Sequence, residues 1–140
     1  MENETRFIDT DLFLKYITND VPEQAQAFEE ILLKASKGEV SLITNSMVIA
    51  EIVWTLEFFY HVSREQIQEN VYGILNTPGL TVIDKNLILQ AILWYVEKHV
   101  DFIDAWNAAW MLENGIETIF SFDKKHFKKF DQVRLIVPGA

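Results

Sequence analysis

Four acidic residues stand in surroundings that do not favour a carboxylate. Asp9 closes the stretch RFI, and Glu51 interrupts the apolar run MVIAEIVWTL. Asp104 lies one turn into DFIDAWNAAW, beside Ala105, Ala108 and Ala109, and Asp123 follows the apolar TIFSF. A carboxylate removed from water is costly, and several brought together repel one another. A divalent cation offsets both costs. The chain has no cysteine, and its histidines, His61, His99 and His126, show no metal-ligand spacing. An oxygen-only set suits Mg²⁺ or Mn²⁺ and not zinc. Such an ion can lower the pKa of a bound water and stabilise developing negative charge. Each acid also has a plainer reading. Asp9, Asp11, Asp101 and Asp104 suit helix N-termini, where the dipole favours negative charge. Glu51 suits an exposed helix edge, and Asp123 suits the cap of a turn.

Short apolar strands and amphipathic helices alternate along the chain. Arg6 to Ile8 reads as a strand that closes at Asp9. A helix follows with Thr10 as N-cap and Leu12, Phe13, Tyr16 and Ile17 on its apolar face. Pro22 opens a second helix, carried by Ala25, Phe28, Ile31, Leu32 and Ala35 towards Gly38. SLIT (Ser41 to Thr44) is the second strand. Asn45 or Ser46 caps a helix with the stripe Val48, Ile49, Ile52, Val53 and Leu56. Ser63 with Gln66 forms a capping box ahead of Ile67, Val71, Ile74 and Leu75. LTVI (Leu80 to Ile83) is the third strand. Leu87, Ile88, Ala91, Ile92 and Tyr95 define a helix to about His99, and another runs from Asp101 to Asn114 with Gly115 as its stop. Thr118 to Phe122 and VRLIV complete the strands. This alternation predicts a mostly parallel sheet covered on both faces. Ligands in such folds sit beyond the carboxyl ends of the strands, where Asp9 and Asp123 fall.

Composition narrows the function classes. A chain of 140 residues that is 49% hydrophobic predicts one globular domain with a real core. The net charge of −9 and pI of 4.7 argue against a broadly basic nucleic-acid-binding surface, although KKHFKK is a local basic patch. The same charge suits a cation or a basic protein partner. Absence of cysteine fits a cytoplasmic protein without disulfides. The beginning MENETRFIDTD has no basic n-region and no apolar h-region, so no signal peptide is expected. SMVIAEIVWTLEFFY is broken by Glu51 and Glu57 and is too short to span a bilayer. Trp54, Trp94, Trp106 and Trp110 read as packing residues, the last two sharing a helix face.

The stretches FIDTDLFLKY, TNSMVIAEIVWTL, VDFIDAWNAAW and TIFSFDKKHFKKF, in this order, resemble the PIN-domain nuclease family. The resemblance is greatest to the VapC toxins of VapBC toxin–antitoxin pairs, and it extends over residues 1–140 as a single PIN domain. It implies a three-layer α/β/α sandwich with a mostly parallel five-stranded sheet of order 3-2-1-4-5. It implies that Asp9, Glu51, Asp104 and Asp123 ligate Mg²⁺ or Mn²⁺, with the hydroxyl of Ser121 accompanying Asp123. Asp11 stands where family members often carry asparagine or serine, and Asp101 flanks the site. The implied activity is a metal-dependent endoribonuclease leaving 5′-phosphate and 3′-hydroxyl ends, acting as the toxin of a type II toxin–antitoxin system. The implied partners are an RNA substrate, a VapB-like antitoxin that sets a basic side chain among the acids, and a second copy in a homodimer. DNA would be reached only through the antitoxin. The helices carrying Phe28, Ile31, Val53 and Phe58 could form a groove for apolar partner residues, while any one of these residues reads first as ordinary core.

Two rivals belong to other classes. The DTD pair superficially matches a HAD-type phosphatase, but Phe13 stands where that motif needs threonine or valine. A catalytically inactive PIN fold used for binding or assembly fits the acidic pI, while the intact acidic quartet argues against it.

Overall fold

The computed structural model describes residues 4–139. The chain divides into two compact units, Met1–Lys85 and Asn86–Ala140.

The first unit holds three strands and four helices: β1 (Thr5–Phe7), α1 (Thr10–Thr18), α2 (Pro22–Ser36), β2 (Ser41–Thr44), α3 (Ser46–Phe58), α4 (Arg64–Leu75) and β3 (Leu80–Val82). β2 is the central strand, parallel to both neighbours, with Arg6 opposite Leu42 and Ile43 opposite Thr81. The crossovers between these parallel strands are helical, as parallel pairing demands. Apolar stripes at helical spacing bury Ile49, Ile52, Val53 and Leu56 on α3 and Ile67 and Val71 on α4. Phe13 of α1 meets Phe28 of α2 edge to face at 5.4 Å between ring centroids. Local signals set the helix starts. Asn45 accepts from the Met47 and Val48 amides, and Ser63 accepts from Gln66. Gly79 has φ +81°, and a Cβ placed there would lie 2.4 Å from the Ala35 carbonyl oxygen. Only glycine fits this approach of the chain to the end of α2.

The second unit holds α5 (Lys85–Glu97), α6 (Phe102–Glu113), β4 (Thr118–Phe120), α7 (Lys124–Phe127) and β5 (Arg134–Ile136). β4 and β5 pair in parallel, with Ile119 opposite Leu135. Ile88, Ala91, Ile92, Tyr95, Ala105 and Ala108 are buried along α5 and α6. Trp94 packs on Phe130 at 4.9 Å, and Tyr95 on Phe102 at 6.5 Å.

The expectation of one continuous five-stranded sheet of order 3-2-1-4-5 is overturned. The strands form two separate sheets, β1-β2-β3 and β4-β5. Every observed pair is parallel, as expected, but continuity between β1 and β4 is missing. Both are three residues long, and their ladders run to β2 and β5. Their residues specify strands but not which edges meet, so the order across the sheet was not set locally.

Trp54 and Trp110 are 59% and 43% exposed, which puts them outside the core. Phe28 and Val53 are buried at 2% and 1% exposure, as their ordinary-core reading expects. Phe28 and Ile31 do contribute to a cavity of about 250 Å³ beside Asp11, Leu12 and Lys15. Among the described residues, no helix is long and apolar enough to cross a membrane.

Candidate functional site

In the first unit the end of β1 delivers Asp9. The Ile8 amide still donates to the Ile43 carbonyl at 2.9 Å, and the buried Thr44 hydroxyl donates to the Ile8 carbonyl at 3.0 Å. The chain is therefore held on β2 up to the residue before Asp9. Asp9 then caps α1, its Oδ1 accepting from the Thr10 amide at 2.8 Å. The expected cap, Thr10, is instead the first helical residue. Its buried hydroxyl donates to Glu51 Oε1 of α3. The structure thus joins Asp9 and Glu51 through one threonine. Both acids are exposed, which corrects the premise that burial makes them costly. Asp11 is exposed in the first turn of α1.

In the second unit three acids converge on one imidazole. Asp101 is the N-cap residue of α6, but its carboxylate caps no amide. Asp104 lies within the first turn of α6. Asp123 follows β4 and caps α7, accepting the His126 amide on Oδ1 at 3.0 Å. The Asp123 amide in turn donates to Ser121 Oγ at 2.9 Å, which ties Ser121 to the loop. His126 Nδ1 stands 2.9 Å from Asp104 Oδ2, 2.9 Å from Asp123 Oδ2 and 3.7 Å from Asp101 Oδ2. Its ring is only 12% exposed.

The electrostatics follow from this crowding. Burial pushes the Asp104 carboxyl up to about 6 from its ordinary 3.8, and the Asp123 carboxylate adds to the rise, while His126 opposes it. Asp123 moves the other way. The His126 backbone N–H is the main cause, with its ring and Asp104 adding to the effect. Two like groups side by side have been driven apart, as happens when a pair cannot comfortably ionise together.

Asp101, Asp104 and His126 each offer a ligand atom within 4.8 Å of the others, so this cluster can accept a cation. The fit is chemical as well as geometric, because Asp104 resists ionisation where a counter-charge would relieve it. Linear spacing hid His126, whose acidic partners lie 3 and 22 residues away. Its one sequence signal was a position one turn after Asp123. Of the basic patch, Lys124 and Lys125 are exposed, whereas Lys129 Nζ donates to the His99 carbonyl at 3.3 Å.

The PIN domain family model matches residues 6–133, a span that runs through both acidic groups. A VapC ribonuclease of Aquifex aeolicus (strain VF5) is 30% identical over 124 residues, covering 89% of this chain and 90% of the relative. With strand-end acids, an acid–histidine cluster and a match of this extent, the chain belongs to the PIN-domain family and is related to VapC-type ribonucleases.

Proposed function

We propose that this protein is a metal-dependent endoribonuclease, the toxin of a type II toxin–antitoxin pair. The observation that carries the reading is the Asp104–His126–Asp123 cluster, found in a chain whose relative is a ribonuclease. Asp9, Glu51, Asp104 and Asp123 are the residues proposed to hold Mg²⁺ or Mn²⁺, and residues 1–140 are proposed to act as a single PIN domain. When bound, the ion supplies a more acidic water and a counter-charge for the phosphate. The chain supplies position. Thr10 orients Glu51, Asp9 is set by its bond to the Thr10 amide, and Ser121 braces the turn that presents Asp123. Lys124 and Lys125, exposed next to Asp123, are suited to RNA phosphates. Hydrolysis would leave 5′-phosphate and 3′-hydroxyl ends.

The proposed partners are a VapB-like antitoxin and a second copy of the chain, acting in the cytoplasm. The net charge of −9 favours an inhibitor that carries arginine or lysine to the acids. DNA would be contacted by the antitoxin alone.

The test is cleavage of an RNA panel by purified protein with Mn²⁺, against Asp9→Asn and Asp104→Asn prepared identically. Cleavage by the wild type and loss in both variants is expected. Absence of wild-type cleavage, together with Mn²⁺ binding no tighter than that of an Asp9→Asn, Asp104→Asn double variant, would instead favour an inactive binding module.

A further inference from the structure

We propose that His126 is a positioning residue, its Nδ1–H shared between Asp104 and Asp123 so that both carboxylates are held ready for a cation. The inference rests on the metal reading above and deepens it. A single ring nitrogen lies 2.9 Å from an oxygen of each carboxylate. Ionised carboxylates accept and do not donate, so a nitrogen facing two ionised ones carries the proton. A protonated Nδ1 has no lone pair to give a metal. His126 is therefore a clamp and not a ligand, although its ring stands among ligand atoms.

The backbone makes the clamp rigid. Asp123 is gripped at both oxygens by one residue, Oδ1 by the His126 amide at 3.0 Å and Oδ2 by the ring at 2.9 Å. Its own amide is fixed to Ser121 Oγ at 2.9 Å. Phe127, 4% exposed, anchors the single turn of α7 that carries the ring. Without the shared proton, two neighbouring carboxylates would turn away from each other. Partners that orient ligating carboxylates typically change metal affinity by about 10–100-fold.

Two substitutions test the donor. In His126→Asn the amide nitrogen sits at the same distance along the side chain as Nδ1 and still donates, while Oδ1 is itself an oxygen ligand, so this variant tests the donor and the ring spectrum separates clamp from ligand. His126→Leu keeps bulk and loses the donor. Mn²⁺ titration calorimetry on the full chain should show His126→Asn close to wild type and His126→Leu weaker by about 10–100-fold. Equal affinity in His126→Leu, or a loss in His126→Asn as large as in His126→Leu, would overturn the proposal. A metal-free arm stands apart from this titration. Long-range ¹H–¹⁵N spectra of the imidazole in EDTA should show Nδ1 protonated, and protonation of Nε2 alone would overturn the clamp. If the wild type binds no Mn²⁺, the metal reading fails and the ring spectrum decides the clamp. If His126→Leu does not fold, His126→Asn and the ring spectrum decide it.

Discussion

Replacing Asp104 by asparagine should stabilise the metal-free protein at neutral pH and do little at pH 4. Unfolded Asp104 ionises near 3.8, whereas the folded carboxyl holds its proton to about 6. Between those values the folded state binds more protons, so wild-type stability falls as pH rises from about 4 to about 6. Above that window both states are ionised and the penalty is constant. Unscreened, such a rise is worth ~3 kcal/mol. Asp104 keeps 21% of its side chain exposed, so screening reduces this to about 1–2 kcal/mol. Asn cannot ionise and escapes the penalty, while its amide can still hydrogen-bond to Asp123. At this chain length the gain corresponds to about 3–6 °C in Tm.

The assay is a series of melts in EDTA from pH 4 to pH 8, for wild type and variant together. The difference in Tm should open through the window and then level off. Asp123, held below its ordinary range, contributes in the opposite direction, and the largest part of that, the His126 backbone N–H, is kept in the variant while the part due to Asp104 changes with it. Saturating Mn²⁺ should then reverse the ranking, because a cation that binds only the native wild type adds about 2.7 kcal/mol at a hundredfold excess over Kd. A difference of the same size at pH 4 and pH 8, or a wild type more stable than the variant at pH 8 without metal, would refute the crowding argument.

Gly79→Ala should destabilise the protein by more than about 2 kcal/mol, read as a lower urea midpoint, because φ is +81° and the new Cβ would strike the backbone of α2. Asn45→Ala should cost about 1 kcal/mol by the same measure, since the Met47 and Val48 amides lose their acceptor at the start of α3. Thr10→Val should leave the circular dichroism spectrum intact and lower the RNA cleavage rate, because Glu51 loses the hydroxyl that holds it. Unchanged cleavage in Thr10→Val would separate Glu51 from the active site.

Local signals were readable from the residues, and pairings were not. SLIT is β2 to the residue, the Asn45 cap forms, and Ser63 caps the Gln66 amide as expected, while the Gln66 side chain donates to Asn70 at 3.4 Å instead of closing the box. The start of α1 moved by one residue for a non-local reason. Asp9 and Thr10 are both competent caps, and the choice falls to Asp9 while the Thr10 hydroxyl is taken by Glu51, 41 residues away. Continuity of the sheet is non-local in the same sense. The composition of TRF and TIF specifies strands, but not which edges meet, and β1 and β4 keep one partner each.

The acids were legible by residue type, but the reason for noticing them holds for only some of them. The cost of burying charge applies to Asp104, whose carboxyl is driven up. It does not apply to Asp9 and Glu51, which are exposed and held by hydrogen bonds around Thr10. The demand for a counter-charge is therefore concentrated on the acid–histidine cluster, where one N–H between two carboxylates already satisfies part of it. If they act as the proposed ligands, Asp9 and Glu51 would add oxygen atoms at positions fixed by α1 and α3. Their substitution should then weaken metal binding without the stability gain expected for Asp104. This contrast distinguishes a ligand chosen for reach from one whose own ionisation is opposed by the fold.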